Sequence, residues 1–169
     1  MAQADPRQVA RDAAGPTAAA MARRLGPGNA LEVAGVTTDA LGQGHVRYQQ
    51  TYRGVPVFEG EAIVHVDLRT GTVLDTTNAT LGFGPIALQA SLGENDAHGR
   101  AMEHFRLPAG LASRRTLMVM VDNGVASVAW QVRAEGEDAR GAFHKVALVD
   151  ANGRGVLRAW DNLETTAAT

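Results

Sequence analysis

His45-Val-Arg-Tyr-Gln-Gln-Thr-Tyr52 alternates with period two: Val46, Tyr48, Gln50 and Tyr52 fall on one side, and His45, Arg47, Gln49 and Thr51 on the other. Successive side chains of a strand point to opposite faces, so the pattern predicts a half-buried strand. Gly54-Val-Pro56 reads as the break after it, because proline cannot donate to a ladder. A second strand is expected over 61–68, with Ala62, Val64, Val66 and Leu68 on one face. Arg69-Thr-Gly71 is a turn, and 72–77 forms the returning strand. Strands joined by turns this short predict an antiparallel meander. Residues 31–36 alternate more weakly just upstream.

Working towards the N-terminus, residues 6–13 and 16–25 are expected as two short helices. Asp5-Pro6 is a helix start with proline at the first helical position. Gly15-Pro16 interrupts, and Gly26-Pro27 stops. Working the other way, Gly82-Phe-Gly84-Pro85 combines two glycines with a proline at mid-chain, and reads as a boundary between two units.

The second half repeats the order. Ser91-Leu-Gly-Glu94 fits a capping box. A helix is expected from there to about Phe105, carrying Ala97, Ala101 and Phe105 at i+4 spacing. Strands are expected at 116–121, 125–133, 142–149 and 155–161, with Asp122-Asn-Gly124 and Asp150-Ala-Asn-Gly153 as turns. In the second of these, Val128, Trp130 and Val132 share a face, so Trp130 is expected to be largely buried. Each half is thus a helix followed by about four antiparallel strands: an α+β class, with a helix packed across a sheet twice.

Composition narrows function by exclusion. The 169 residues carry a net charge of −2, and Lys145 is the only lysine. No basic stripe offers a nucleic-acid footprint. With no cysteine, disulfides, thiolate zinc sites and thiol nucleophiles are excluded together. No apolar run approaches the ~20 residues that span a bilayer. The first thirty residues carry Arg7, Arg11, Arg23 and Arg24 and no apolar core, so they are not a signal peptide as they stand.

The residues compose no active site. His45, His65, His98, His104 and His144 include no His-Glu-x-x-His and no i, i+4 pair. His45 and His65 lie on consecutive strands and can face one another, but no third metal ligand is visible. Ser91, Ser113 and Ser127 include no Gly-x-Ser-x-Gly elbow. Gly42-Gln-Gly44 lacks the third glycine of a dinucleotide site. A binding or folding module is expected, with no catalytic, cofactor-binding or metal residues of its own.

Residues 45–67 carry His45, Arg47, Gln50, Gly54, Val55, Pro56, Val57, Val64 and His65 at the spacing His-x-Arg-x-x-Gln-x-x-x-Gly-Val-Pro-Val-x-x-x-x-x-x-Val-His. This closely resembles the fungalysin/thermolysin propeptide motif. Trp130-Gln-Val, Lys145-Val-Ala-Leu-Val-Asp150-Ala-Asn-Gly153 and Val156-Leu157 resemble a PepSY domain. Together the chain resembles the prosequence of a thermolysin-like, M4-family zinc metallopeptidase. The resemblance implies two cystatin-like units: an N-terminal helical segment at 1–30, a propeptide-motif domain at 31–84, a PepSY-like domain at 88–163 and a processing tail at 164–169.

The resemblance further implies a non-catalytic, secreted or extracytoplasmic zymogen segment. It would act as intramolecular chaperone and inhibitor and be removed by autoprocessing at its C-terminus. Zinc and calcium are expected only in the catalytic domain, which lies outside this sequence. The implied partner is that catalytic domain, with a monomer expected and neither nucleic acid nor membrane engaged. The residues expected to contact the protease or lie at the processing site are Arg47, Gln49, Gln50, Asp161, Asn162, Leu163, Glu164, Thr165 and Thr169. Gly54 and Pro56 are equally explained as shaping a hairpin. The alternative function is a free-standing extracytoplasmic PepSY-type inhibitor acting on a peptidase in trans.

Overall fold

The computed structural model describes residues 2–163. The chain divides into two compact units, the first ending at Gly84 and the second beginning at Pro85. Each is α+β, with one helix packed on four antiparallel strands.

The first unit opens with α1 (Pro6–Leu25), whose free N-terminal amide at Arg7 is capped by Asp5 Oδ1 at 3.0 Å. The two short helices expected on either side of Gly15-Pro16 are one continuous helix. The reason is a buried stripe, Ala10, Ala14, Ala18 and Met21, that runs straight past the interruption. Pro16 sits on the exposed side. It removes one helical hydrogen bond, a cost of ~3 kcal/mol or more, and disturbs no packing.

Four strands follow: β1 (Asn29–Thr38), β2 (Gln43–Tyr52), β3 (Val55–Asp67) and β4 (Thr72–Ala79). Each pairs antiparallel with the next. The face read from the sequence is the core face: Val46, Tyr48, Ala62, Val64 and Val66 pack with the alanine stripe of α1. Small residues let helix and sheet approach closely. A Cβ on Gly44 would lie 2.7 Å from the Ala10 Cβ and 3.0 Å from Leu68 Cδ2.

The β2–β3 break is tighter than the sequence suggested. Tyr52 pairs with Val55, so only Arg53 and Gly54 turn, with φ of 46° and 82°. Positive φ at both central positions defines a type I′ hairpin. Pro56 already lies in β3, opposite Thr51.

In the second unit α2 (Glu94–Phe105) packs on β5 (Arg114–Asp122), β6 (Val125–Asp138), β7 (Gly141–Asp150) and β8 (Val156–Asp161), paired in that order. Ala97, Ala101 and Met102 meet Val132, Ala134, Ala147 and Val149 in its core. The expected capping box is absent: Gly93 is the N-cap and no side chain caps the helix. Ser91 instead turns towards the β7–β8 loop, its hydroxyl donating to Ala151 O and Asn152 Oδ1. Trp130 packs against the core yet is only half-buried. Its indole must lie where Nε1 reaches Leu92 O, at 2.8 Å. No helix among the described residues is long and apolar enough to cross a membrane.

Candidate functional site

The motif-bearing hairpin contains a large irregularity. Gln49 pairs with Glu61 and Thr51 with Pro56, so Gln50 alone stands opposite residues 57–60 of β3. Such a bulge leaves backbone carbonyls without ladder partners. Gln49 supplies them: its Nε2 lies 2.8 Å from Gln50 O, 2.8 Å from Val57 O and 3.1 Å from Gly60 O.

Gln50 points the other way, into the unit, and has no exposed surface. Its Nε2 donates to Asn29 Oδ1 at 2.9 Å and to Leu81 O at 2.8 Å, and its Oε1 accepts from Leu81 N at 2.8 Å. Asn29 in turn donates through Nδ2 to Leu25 O and Gly26 O at the end of α1. One amide therefore joins the helix end, the second strand and the segment leaving β4. Gly60 makes room for it, since a Cβ there would fall 2.7 Å from Gln50 Oε1. Phe83 packs edge-on against Tyr52, with centroids 5.2 Å apart, and fastens the same segment.

On the outer face, away from α1, His45 and His65 are register partners, and their Nδ1 atoms lie 2.7 Å apart. His45 Nε2 is 2.9 Å from Asp39 Oδ2, and His65 Nε2 is 3.1 Å from Thr77 Oγ1 and 3.9 Å from Asp75 Oδ1. The carboxylate only accepts, which fixes a one-way chain for neutral rings: Thr77 donates to His65, His65 Nδ1 to His45 Nδ1, and His45 Nε2 to Asp39. The bond from His45, with Gln43 N and Leu41 N adding to it, holds the Asp39 carboxyl below its ordinary range. Thr77 lies in β4, exposed along its whole length, so nothing desolvates a nucleophile there. Among the described residues no three His, Cys, Asp or Glu side chains are placed to hold a metal ion.

In the second unit the β7–β8 loop is clasped by Asp150, whose side chain is 2% exposed. Burial pushes its carboxyl up, but hydrogen bonds from Asn152 N and from the Arg154 guanidinium and backbone outweigh this, and it lies below the ordinary value. An open groove of about 600 Å³ beside that loop is lined by Met120, Val125, Ser127, Leu157, Arg154 and Arg158, among others.

Asp161 closes β8. Its Oδ1 accepts from His144 N and Leu163 N, and its Oδ2 is 3.6 Å from Lys145 Nζ. Burial pushes this carboxyl up too. The backbone donors and Lys145 overcome it and leave the group lowered.

The residues expected from sequence thus occupy different kinds of place. Arg47 is exposed on the outer face of β2. Gln49 is half-buried in the bulge, and Gln50 has no surface through which to make the contact expected of it. Asp161 is a strand-end pin. Asn162 and Leu163 are exposed beyond it, with Asn162 Oδ1 accepting from Trp160 Nε1 at 2.8 Å. Glu164, Thr165 and Thr169 lie outside the described residues. Sequence reading missed Asn29, Leu81 and Asp39. Only Asp39 left a trace, as the aspartate opening the turn Asp39-Ala-Leu-Gly42.

No curated protein sequence matches the chain. Among solved structures, the Bacillus megaterium YpeB C-terminal domain aligns with a TM-score of 0.49 and 10% identity, over 95% of this chain and 66% of that one. Residues 29–74 match the Fungalysin/Thermolysin Propeptide Motif. The matched span runs from Asn29 through the Gln49-Gln50 bulge and the His45–His65 pair into β4. The likeness to the Fungalysin/Thermolysin Propeptide Motif thus covers most of the sheet of the first unit and no part of the second.

Proposed function

We propose that the chain is the prodomain of a secreted thermolysin-like metallopeptidase, assisting the folding of the protease domain, inhibiting it, and leaving by autoprocessing at its own C-terminal end. The observation that carries this reading is the propeptide-motif match over residues 29–74. The physical logic is mass action. A module that binds the folded protease and not its unfolded chain stabilises the folded form.

The motif's Gln50 and its neighbour Gln49 support the fold of the module, which leaves contact to exposed positions. Arg47 is the first of these, on a sheet face that α1 leaves open. The β4 edge is a second candidate, able to accept an extended segment by strand addition. The processing segment is taken to run from Asp161 through Asn162, Leu163, Glu164 and Thr165 to Thr169. Asp161 anchors its start to β7 through His144 N. After the cut, the new carboxylate would lie near the protease zinc, for which a carboxylate is a competent ligand. Tethering to the folded second unit raises the tail's effective concentration.

Inhibition of the cognate mature protease tests this. The intact chain is expected to inhibit tightly, a chain lacking residues 163–169 to inhibit much more weakly while still folding, and the isolated tail peptide to inhibit poorly. Equal inhibition constants for intact and truncated chains would make the tail a mere linker. No inhibition by the intact chain would overturn the reading.

A further inference from the structure

We propose that the His45–His65 pair is a proton-counting latch on the outer face of the first unit: it ties β2 to β3 while the two imidazoles together carry at most one extra proton, and opens when both become imidazolium. The proposal stands on the geometry of the pair and does not depend on the propeptide reading.

The 2.7 Å gap between the two Nδ1 atoms holds one proton. With both rings neutral, that proton belongs to His65 and the chain from Thr77 to Asp39 is complete. One further proton fits without breaking it. Placed on His65 Nε2, it is donated to Thr77 Oγ1 and faces Asp75. Both Nδ1 atoms still share a single proton.

A second proton has nowhere to go. It puts two N–H groups head to head across the gap and sets two like charges in rings whose centroids are 5.0 Å apart. The rings can part, because each has a carboxylate of its own. His45 keeps Asp39, and His65 moves the short way to Asp75, now 3.9 Å off. What is lost is the side-chain bond between the strands.

The surroundings favour this division of labour. Beyond Asp39 and Asp75, the charged groups next along the same face are Arg47 on β2, two residues from His45, and Asp67 on β3, two residues from His65. Asp67 is itself 3.9 Å from Arg69. β1 places the uncharged Thr37 opposite His45, and α1 packs on the opposite face of the sheet. Asp39 stays ionised through the range in which imidazoles titrate, because its carboxyl is held low.

The test follows imidazole nitrogen resonances of the full chain on acidification, beside urea unfolding monitored by tyrosine, since Tyr48 and Tyr52 both lie in this unit. The pair is expected to take up two protons in two separate steps. The second step should coincide with loss of the shared Nδ1 proton signal and a fall in the urea midpoint. His65→Gln, which accepts no proton, is expected to abolish the second step and the part of the midpoint's pH dependence that goes with it. Independent single-step titration of His45 and His65 in the parent chain would overturn the proposal. So would the same pH slope of the midpoint in parent and variant. If His65→Gln does not fold, the nitrogen titration of the parent decides alone.

Discussion

Replacing Gln50 by methionine keeps the volume of the side chain and removes its amide. Three groups lose their partner at once: Asn29 Oδ1, Leu81 O and Leu81 N. A buried polar group left unpaired costs ~1–3 kcal/mol. Asn29 and Leu81 are half-buried, so water recovers part of that for each. A total of about 2–4 kcal/mol is expected, relieved slightly by burying a thioether where an amide was. A unit of this size has a stability of about 4–12 kcal/mol, so the loss is a large share of the whole. With a urea slope of ~1.5 kcal/mol/M, the midpoint falls by roughly 1–3 M.

The chain supplies its own probes for this. Both tyrosines, Tyr48 and Tyr52, are in the first unit, and both tryptophans, Trp130 and Trp160, in the second. Tyrosine absorbance should report the shift. Gly60→Ala provides the cross-check, because its Cβ would crowd Gln50 Oε1 at 2.7 Å. In the Gln50→Ala background the Oε1 contact is gone and only the tight approaches to the residue 50 Cβ at 3.0 Å and Val57 Cβ at 3.1 Å remain, so the two substitutions should be non-additive. A Gln50→Met chain with an unchanged tyrosine-monitored midpoint would refute the hub, and with it the structural explanation of the motif glutamine.

Gly44→Ala should cost about 1–3 kcal/mol, because its Cβ meets the Ala10 Cβ at 2.7 Å and the helix must lift; circular dichroism melts would show it. Asp150 and Asp161 both titrate below the ordinary aspartate value of about 3.9. A lowered carboxyl contributes stability that is present above the unfolded value and lost as pH falls through the folded one. Tryptophan-monitored stability should therefore fall as pH drops below about 4, and fall less steeply in Asp150→Asn. Arg47→Ala should leave the unfolding midpoint within ~0.5 kcal/mol of the parent, as an exposed substitution does, while reducing the yield of mature protease from the full precursor; equal yields would remove Arg47 from the interface.

What the sequence disclosed follows from the range of the interactions involved. The core faces of β2 and β3 were readable because period two is a local property, and Val46, Tyr48, Val64 and Val66 all fall where alternation puts them. Gly15-Pro16 misled because punctuation is local, whereas the alanine stripe that overrides it acts through the sheet. Ser91 misled for a similar reason: its hydroxyl satisfies a loop some 60 residues away in place of its own helix. Gln50 was legible as important and illegible as to why, since its partners lie 21 and 31 positions off. The facing of His45 and His65 could be read from strand register. Asp39 and Thr77, which give the pair its direction, could not.

The most direct test of the proposed propeptide role is the folding of the cognate metallopeptidase domain. Denatured protease domain would be diluted into buffer with and without this chain supplied in trans, and proteolytic activity recovered after removal of the chain would be measured. The propeptide role requires recovery that rises and saturates with added chain and is lost when the chain carries a first unit unfolded by Gln50→Met and Gly44→Ala together. Equal recovery with and without the chain, or a reading frame that encodes no zinc metallopeptidase after Thr169, would contradict it.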